Sequence, residues 1–183
     1  NALATSAKLG GIRIYEGVCA ATFTNNIINI GSNSASSVIG IAEAGTNGTG
    51  LAAGNNTNYF HNTIYIYGTT TAGSSGGYYS ASTLNQRVFK NNMFINERSG
   101  GGTHYSFQTS ASGLTSDYNK YFVSGTGSVL AKISTDKADL TALQGATGGD
   151  QNSIVPLSSP FNSPGTSAES FLPNAESLGV QLN

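Results

Sequence analysis

Charge is what this chain lacks most. Asp, Glu, Lys and Arg make up 9% of its 183 residues, against about 25% in an average soluble domain. The formal net charge is -1, so the chain offers no positive field for nucleic acid or an anionic membrane surface. The single cysteine, Cys19, excludes an internal disulfide and is interpreted as a small buried hydrophobe. A chain this poor in ionisable groups also has few candidate catalysts.

Long apolar runs are missing as well. No stretch approaches the ~20 apolar residues that span a bilayer, so we expect no membrane insertion. The chain begins with Asn, and no signal peptide is visible. We therefore expect a mature or excised piece of a longer secreted precursor. The low charge and the abundance of Thr, Asn and Gly predict a protein that is extracellular or on the cell surface. An extracellular protein that does not rely on disulfides is common in bacteria, so we expect a bacterial source.

Short strand-like runs are what the chain does contain. Nine Tyr and eight Phe argue against disorder, and alternating apolar residues predict strands. The predicted strands cover 12–16, 25–31, 37–45, 62–68, 91–96, 104–109, 119–125 and 129–134. Connectors rich in Gly, Ser and Thr are predicted at 45–50, 69–79, 98–103 and 124–128. One short helix is predicted near 138–147, with Asp139 close to its N-cap and Gly145 or Gly148 as its stop.

One phrase is repeated along the chain. The strings FTNNIINIG, YFHNTIYIYG, FKNNMFIN and SDYNKYFV align on Asn26, Asn62, Asn92 and Asn119. A repeat of this length with variable loops is typical of a solenoid, here of about five coils. Equivalent residues of successive coils would then lie roughly 4.8 Å apart. The repeated Asn side chains would hydrogen-bond as a ladder, and Asn tolerates the left-handed backbone that a sharp corner needs.

Three longer strings carry a resemblance to a known family. NNIINI, HNTIYIYG and FKNNMFINERSGGGTHYSF resemble right-handed parallel β-helix proteins of the pectate-lyase-like superfold. Segment 113–162 resembles the closing coils of large secreted β-helix proteins from Bacteroidetes-type bacteria. The positions that fit this closing pattern are Asp117, Tyr118, Asn119, Leu140, Gln144, Thr147, Gly148, Asp150 and Ser153, with Leu143 where an aromatic residue is expected.

The resemblance implies an all-β fold. It implies a single-stranded right-handed parallel β-helix over 1–162, followed by a C-terminal cap or linker at 163–183. All four prolines fall within 156–183, and proline cannot donate to a sheet ladder. The resemblance does not imply one function, because such repeats occur in enzymes, adhesins and other surface proteins alike.

The acids are too scattered to predict a catalytic site. A glycosidase needs two carboxylates about 5–9.5 Å apart, and a calcium-dependent lyase needs grouped acids. Glu43 is isolated in sequence. The densest polar cluster is Glu97 and Arg98 followed by His104. Glu97 and Arg98 are interpreted as part of a solvated loop, and His104 as a structural residue that starts a strand. His61 is interpreted as a polar turn residue. We therefore predict no catalytic residue, no metal ligand and no cofactor.

Tyrosines are the candidate ligand contacts. Tyr65 and Tyr67 flank the inward Ile66, so strand alternation points them outward. With Tyr105, they are predicted to stack on sugar rings or contact another protein. The alternative is ordinary surface packing under the 69–79 connector.

Three functions are compatible with the sequence. The sequence favours a non-catalytic module of a larger surface protein, acting as an adhesin, stalk or fibre with weak glycan binding. Its predicted partners are polysaccharide or another surface protein. The alternatives are a fragment of a polysaccharide lyase or hydrolase, and a filament subunit that self-associates end to end through open sheet edges.

Overall fold

Strands dominate the structure, a computed structural model that describes residues 8–15, 20–44, 56–80, 87–110 and 114–161. Cys19, the predicted connector 45–50 and the segment 163–183 lie outside these ranges. The strands are β1 (Lys8–Tyr15), β2 (Thr22–Thr24), β3 (Ile27–Gly31), β4 (Ser37–Ala44), β5 (Thr57–Phe60), β6 (Thr63–Thr70), β7 (Ser75–Ser80), β8 (Arg87–Lys90), β9 (Met93–Gly100), β10 (His104–Thr109), β11 (Thr115–Asp117), β12 (Lys120–Val123), β13 (Ser128–Ile133) and β14 (Thr135–Lys137). The helix is α1 (Leu140–Thr147). The prediction of an all-β chain with one short helix is confirmed.

Each strand from β1 to β10 pairs with the strand that lies three places later in the chain. Sheet A has the order β1-β4-β7-β10-β13-β14, sheet B has β11-β8-β5-β2, and sheet C has β12-β9-β6-β3. All of these pairs are parallel except β13 with β14. The chain therefore repeats a three-strand unit, and four units, β2–β4, β5–β7, β8–β10 and β11–β13, follow β1.

Aromatic stacks hold successive units together. In sheet B, the Tyr59 ring lies 5.3 Å from the Phe23 ring and 4.9 Å from the Phe89 ring, with nearly parallel planes. Phe89 also packs edge-on to Tyr78 of sheet A and Phe94 of sheet C. The three sheets thus meet around one buried core. Each such ring pair contributes about 0.5–1.5 kcal/mol beyond the area it buries.

Two adjacent residues make the turn between sheets B and C. The first residue has a left-handed backbone, with φ of 56° or 57°, at Asn25, His61, Asn91 and Tyr118. The second residue is the repeated Asn. The expectation that the repeated Asn adopts the left-handed conformation is therefore wrong, because its predecessor does so. His61 takes the same conformation as Asn25 and Asn91, as a turn residue would.

The glycine-rich stretch predicted as the connector 69–79 is in fact largely strand. Its second half forms β7, and Tyr78 lies wholly inside the core. Gly77 is required there, because a Cβ at that position would lie 2.3 Å from the Ser106 carbonyl oxygen. Close approach of neighbouring units explains glycines that, in the sequence alone, resemble a loop.

The C-terminal edge of each sheet is covered. In sheet A, β14 pairs antiparallel with β13. In sheet B, the Asp150 amide donates to the Ser116 carbonyl at 2.6 Å. In sheet C, Ile154 bridges to Lys120 of β12 and accepts a hydrogen bond from the Tyr121 amide at 3.0 Å. This covering protects three strand edges that would otherwise invite pairing with another chain.

Helix α1 closes the same end of the core. Asp139 is its N-cap, and its carboxylate accepts from the Ala142 amide at 2.8 Å. Gly148 ends the helix in the left-handed conformation, with φ of 72°, as is usual at this position. Leu143 is fully buried and packs in the core. The predicted N-cap and the predicted glycine stop are both found.

Candidate functional site

The outer face of sheet C holds two of the predicted ligand contacts. Tyr65 does point outward, but only 2% of its surface is exposed. Phe161 packs edge-on against it at 5.3 Å, and the Tyr67 ring stacks on it at 5.1 Å. The Tyr65 hydroxyl donates to Glu97 at 2.7 Å. The prediction that Tyr65 is exposed is wrong, because the segment after Ile154 crosses this face and covers it.

Tyr105 on sheet A is covered as well. Only 6% of its surface is exposed, and its hydroxyl donates to Asp136 at 3.0 Å. The Lys132 ammonium nitrogen lies 5.9 Å from the centre of the Tyr105 ring. Asp136 belongs to β14, which turns back along β13 and brings the carboxylate to the ring. The residue lies on the predicted outer face, but its hydroxyl already has a partner.

An open groove runs along the outer face of sheet A. Sheet register places two columns of side chains there: Gly10, Ile39, Gly76 and Tyr105 in one, and Arg13, Ala42, Tyr79, Gln108 and Lys132 in the other. Gly10 and Gly76 add no side chain, so the first column stands less far above the sheet surface than the second. Two depressions of about 200 and 180 Å³ adjoin at Ile39 and Tyr79. We call them the outer groove. Sequence reasoning missed it, since its residues are far apart in the chain.

A buried ion pair lies between sheets A and B. Arg87 and Glu43 are each 2% exposed and form a salt bridge, and Arg87 Nε donates to Glu43 Oε2 at 2.6 Å. The Tyr59 hydroxyl donates to the other carboxylate oxygen. Glu43 appears isolated in sequence and is not isolated in the structure. Since its charge is neutralised and hydrogen-bonded in the core, its role is structural.

A second buried polar cluster lies where β9, β7 and β10 meet. His104 Nδ1 is 2.8 Å from Ser75 Oγ, which also accepts from Asn96 Nδ2 at 2.9 Å. A serine beside a histidine is the arrangement of an activated nucleophile. Here both side chains point into the core and are 1% exposed or less, so no substrate reaches them. The interpretation of Arg98 as part of a solvated loop is wrong, because its side chain is fully buried. His104 begins β10 and is fully buried as well.

The four repeated asparagines lie in one row along the turns between sheets B and C. Asn26 Nδ2 donates to Asn62 Oδ1 at 2.8 Å. Asn62 donates to Asn92, and Asn92 to Asn119, each at 3.0 Å. Backbone amides of Asn26, Asn62 and Asn92 donate to the same oxygens. The Oδ1 atoms of Asn62, Asn92 and Asn119 therefore each accept two hydrogen bonds from the preceding unit.

Asp150 ends this row. The Asn119 amide donates to Ser153 Oγ at 2.9 Å, and Ser153 Oγ donates to Asp150 Oδ1 at 2.7 Å. The same carboxylate oxygen accepts from Ser116 and from the Tyr121 hydroxyl. The residues that carry the closing-segment resemblance thus terminate the Asn row with a buried acid.

Buried tyrosines make stability depend on alkaline pH. Burial is the main cause that raises the pKa of Tyr59, Tyr78 and Tyr121. Their contribution is complete below the unfolded tyrosine pKa of about 10 and is lost as pH rises above it, because only the unfolded chain ionises readily. We expect the free energy of unfolding to fall above pH ~10, with phenolate absorbance of these residues appearing only as circular dichroism is lost. Full ionisation of all nine tyrosines in a folded chain would contradict this.

Neither a metal site nor a membrane-spanning helix is found within the described ranges. There, no group of three or more His, Cys, Asp and Glu side chains is placed to hold a metal ion. Among the helical residues described, none form a helix long and apolar enough to cross a bilayer. Compared with protein-family models, curated proteins and solved structures, the chain matches none of them.

Proposed function

We propose that the chain is a right-handed parallel β-helix module of an extracellular surface protein, without catalytic activity, that binds glycans in the outer groove. The parallel pairing of every third strand supports the β-helix, as does the row of asparagines joining its units. The sequence resemblance to secreted β-helix proteins supports the location.

The acids carry the non-catalytic part of the proposal. A β-helix lyase or hydrolase needs carboxylates that are free to act on a substrate. Each acid within the described ranges instead accepts a hydrogen bond from the chain itself. The acids and their donors are Glu43 with Tyr59, Glu97 with Tyr65, Asp117 with Asn152, Asp136 with Tyr105, Asp139 with Ala142 and Asp150 with Ser153.

The outer groove has the chemistry of a weak glycan site. Tyr79 offers a half-buried ring for stacking on a sugar. Arg13 lines the first depression, and Gln108 and Ser37 line the second, which supplies polar groups for hydroxyls or an acidic sugar. Successive strands lie roughly 4.8 Å apart, close to the length of one pyranose unit. An extended chain crossing the strands would therefore meet an equivalent position at each sugar.

A polysaccharide panel tests this function. Plant, algal and bacterial polysaccharides are incubated with the protein, and both retention and released oligosaccharides are followed. We expect retention without products and at least a severalfold loss of retention in Tyr79→Ala. The control is Tyr118→Asn, which removes an aromatic ring outside the groove at a left-handed position where Asn is well tolerated. Released products would favour the enzyme alternative, and equal retention by the two variants would reject the groove.

Covered edges weigh against the filament alternative. End-to-end growth joins the C-terminal edge of one copy to the N-terminal edge of the next, but β14, Asp150 and Ile154 already occupy the C-terminal edges. We expect sedimentation velocity to give a monomer that does not change with protein concentration. A sedimentation coefficient that increases with protein concentration would instead support the filament.

A further inference from the structure

The cluster of Ser75, Asn96, Arg98 and His104, which we call the histidine corner, joins three consecutive units. Arg98 is the largest fully buried side chain within the described ranges. Its Nη2 donates to the Ser34 carbonyl at 2.5 Å, and its Nη1 donates to the Ser74 carbonyl at 3.3 Å. Ser34 precedes β4 and Ser74 precedes β7, whereas Arg98 lies on β9. One guanidinium on a strand therefore holds two turns from the two preceding units in place.

Arg98 has carbonyl partners but no carboxylate partner among its hydrogen bonds. Its charge is therefore compensated by dipoles alone, and a second cation nearby would be strongly unfavourable. The histidine that shares the corner is the group that could become that cation near physiological pH.

The groups that face His104 come from every element around it. β7 contributes the Ser75 hydroxyl, β9 contributes Asn96 and Arg98, and β13 with its preceding turn contributes Ser128 and Gly127. Arg98 is the one charge among the described neighbours. Burial first, and then Arg98, lower the pKa of His104, and the backbone of Gly100 offsets this in part.

We propose that the histidine corner is an acid-sensitive catch: it is closed while His104 is neutral, and it opens when the imidazole is protonated beside Arg98. Protonation places two cations in one closed site and pushes the guanidinium away from the Ser34 and Ser74 carbonyls. The catch is fully closed above the unfolded histidine pKa of about 6.5. It weakens as pH falls below that value, because the open form then binds a proton more readily.

Opening would also change the outer groove. Ser74, whose carbonyl accepts from Arg98, lines its second depression, so movement of the turn before β7 alters the groove wall. The catch itself is independent of what the groove binds.

Amide hydrogen exchange, followed by NMR, tests the catch on the full chain. The reporting amides are those of Ser75, Gly101 and His104, which donate to the carbonyls of Thr103, Thr70 and Gly127. Between about pH 7.5 and about pH 5, on either side of the histidine pKa, we expect their protection factors to fall severalfold. One proton limits the fall to about tenfold per pH unit. The Met93 amide, bonded to the Asn62 carbonyl at 2.8 Å, should keep its protection factor.

Two variants and a titration make the result decisive. His104→Gln should abolish the pH dependence, whereas His61→Asn should leave it unchanged, since Asn already fills the equivalent left-handed positions 25 and 91. In the unaltered chain, the imidazole resonances of His104 should titrate below the ordinary histidine pKa of about 6.5. This second measurement keeps the proposal testable if His104→Gln does not fold. A His104 pKa at or above about 6.5, or protection that stays constant down to about pH 5, would overturn the proposal.

Discussion

Replacing Asn92 by Ala is expected to lower the free energy of unfolding by about 4 kcal/mol, a large share of the roughly 5–15 kcal/mol that holds a domain together. The Asn92 side chain is almost fully buried and forms hydrogen bonds in both directions along the row. Its removal leaves the Asn62 backbone amide and the Asn62 side-chain nitrogen without their hydrogen-bond acceptor, because both lie 3.0 Å from Asn92 Oδ1. The Tyr59 carbonyl also loses the hydrogen bond that Asn92 Nδ2 donates to it at 2.8 Å. Each buried polar group that loses its hydrogen-bond partner lowers the free energy of unfolding by about 1–3 kcal/mol.

Urea unfolding, followed by circular dichroism, measures this loss, with Asn26→Ala as the matched control. Asn26 makes the same Asn-to-Asn bond, but it is half-buried at the first position of the row, where water can replace lost partners. We expect about 1 kcal/mol for the control. Equal losses at the two positions would mean that the row contributes through local turn preference rather than through buried hydrogen bonds.

The Asn row shows what local sequence can predict. Spacing and the surrounding apolar residues identified the four positions because every unit reuses one turn. The same reasoning located most of the longer strands and helix α1. It missed β7, whose glycines resemble a loop. It also missed five of the six strands of three or four residues, namely β2, β5, β8, β11 and β14, because such short strands give no reliable alternation.

The interior chemistry could not be predicted in this way. Glu43 and Arg87 meet because their strands belong to neighbouring sheets, and no local pattern states which distant acid faces which base. Tyr65 shows the same limit. Alternation correctly gave its outward direction, but its exposure depends on Phe161, which returns across sheet C from the other end of the chain. Direction is a local property of a strand, whereas burial depends on register and on distant segments.

Breaking the Glu43–Arg87 pair from one side is expected to be as damaging as breaking the Asn row. Glu43→Gln keeps the shape of the side chain and an oxygen that can accept from the Tyr59 hydroxyl. It removes the carboxylate that neutralises the Arg87 guanidinium, whose side chain is 2% exposed. Removal of one partner of a buried pair typically lowers the free energy of unfolding by about 3–5 kcal/mol. Arg87→Met should cost a similar amount, because it removes the positive charge that neutralises the Glu43 carboxylate.

The double variant Glu43→Gln with Arg87→Met separates ion pairing from packing. It leaves no unpaired charge in the core, and replacing a whole buried pair with uncharged groups is often close to neutral. We therefore expect the double variant to lose less stability than either single variant, measured by guanidinium unfolding followed by circular dichroism. Coupling between contacting residues is commonly about 0.5–3 kcal/mol, and here it should reach or exceed the upper end. Losses that simply add would show that each side chain acts through packing alone, and the pair would then have no electrostatic role in holding sheets A and B together.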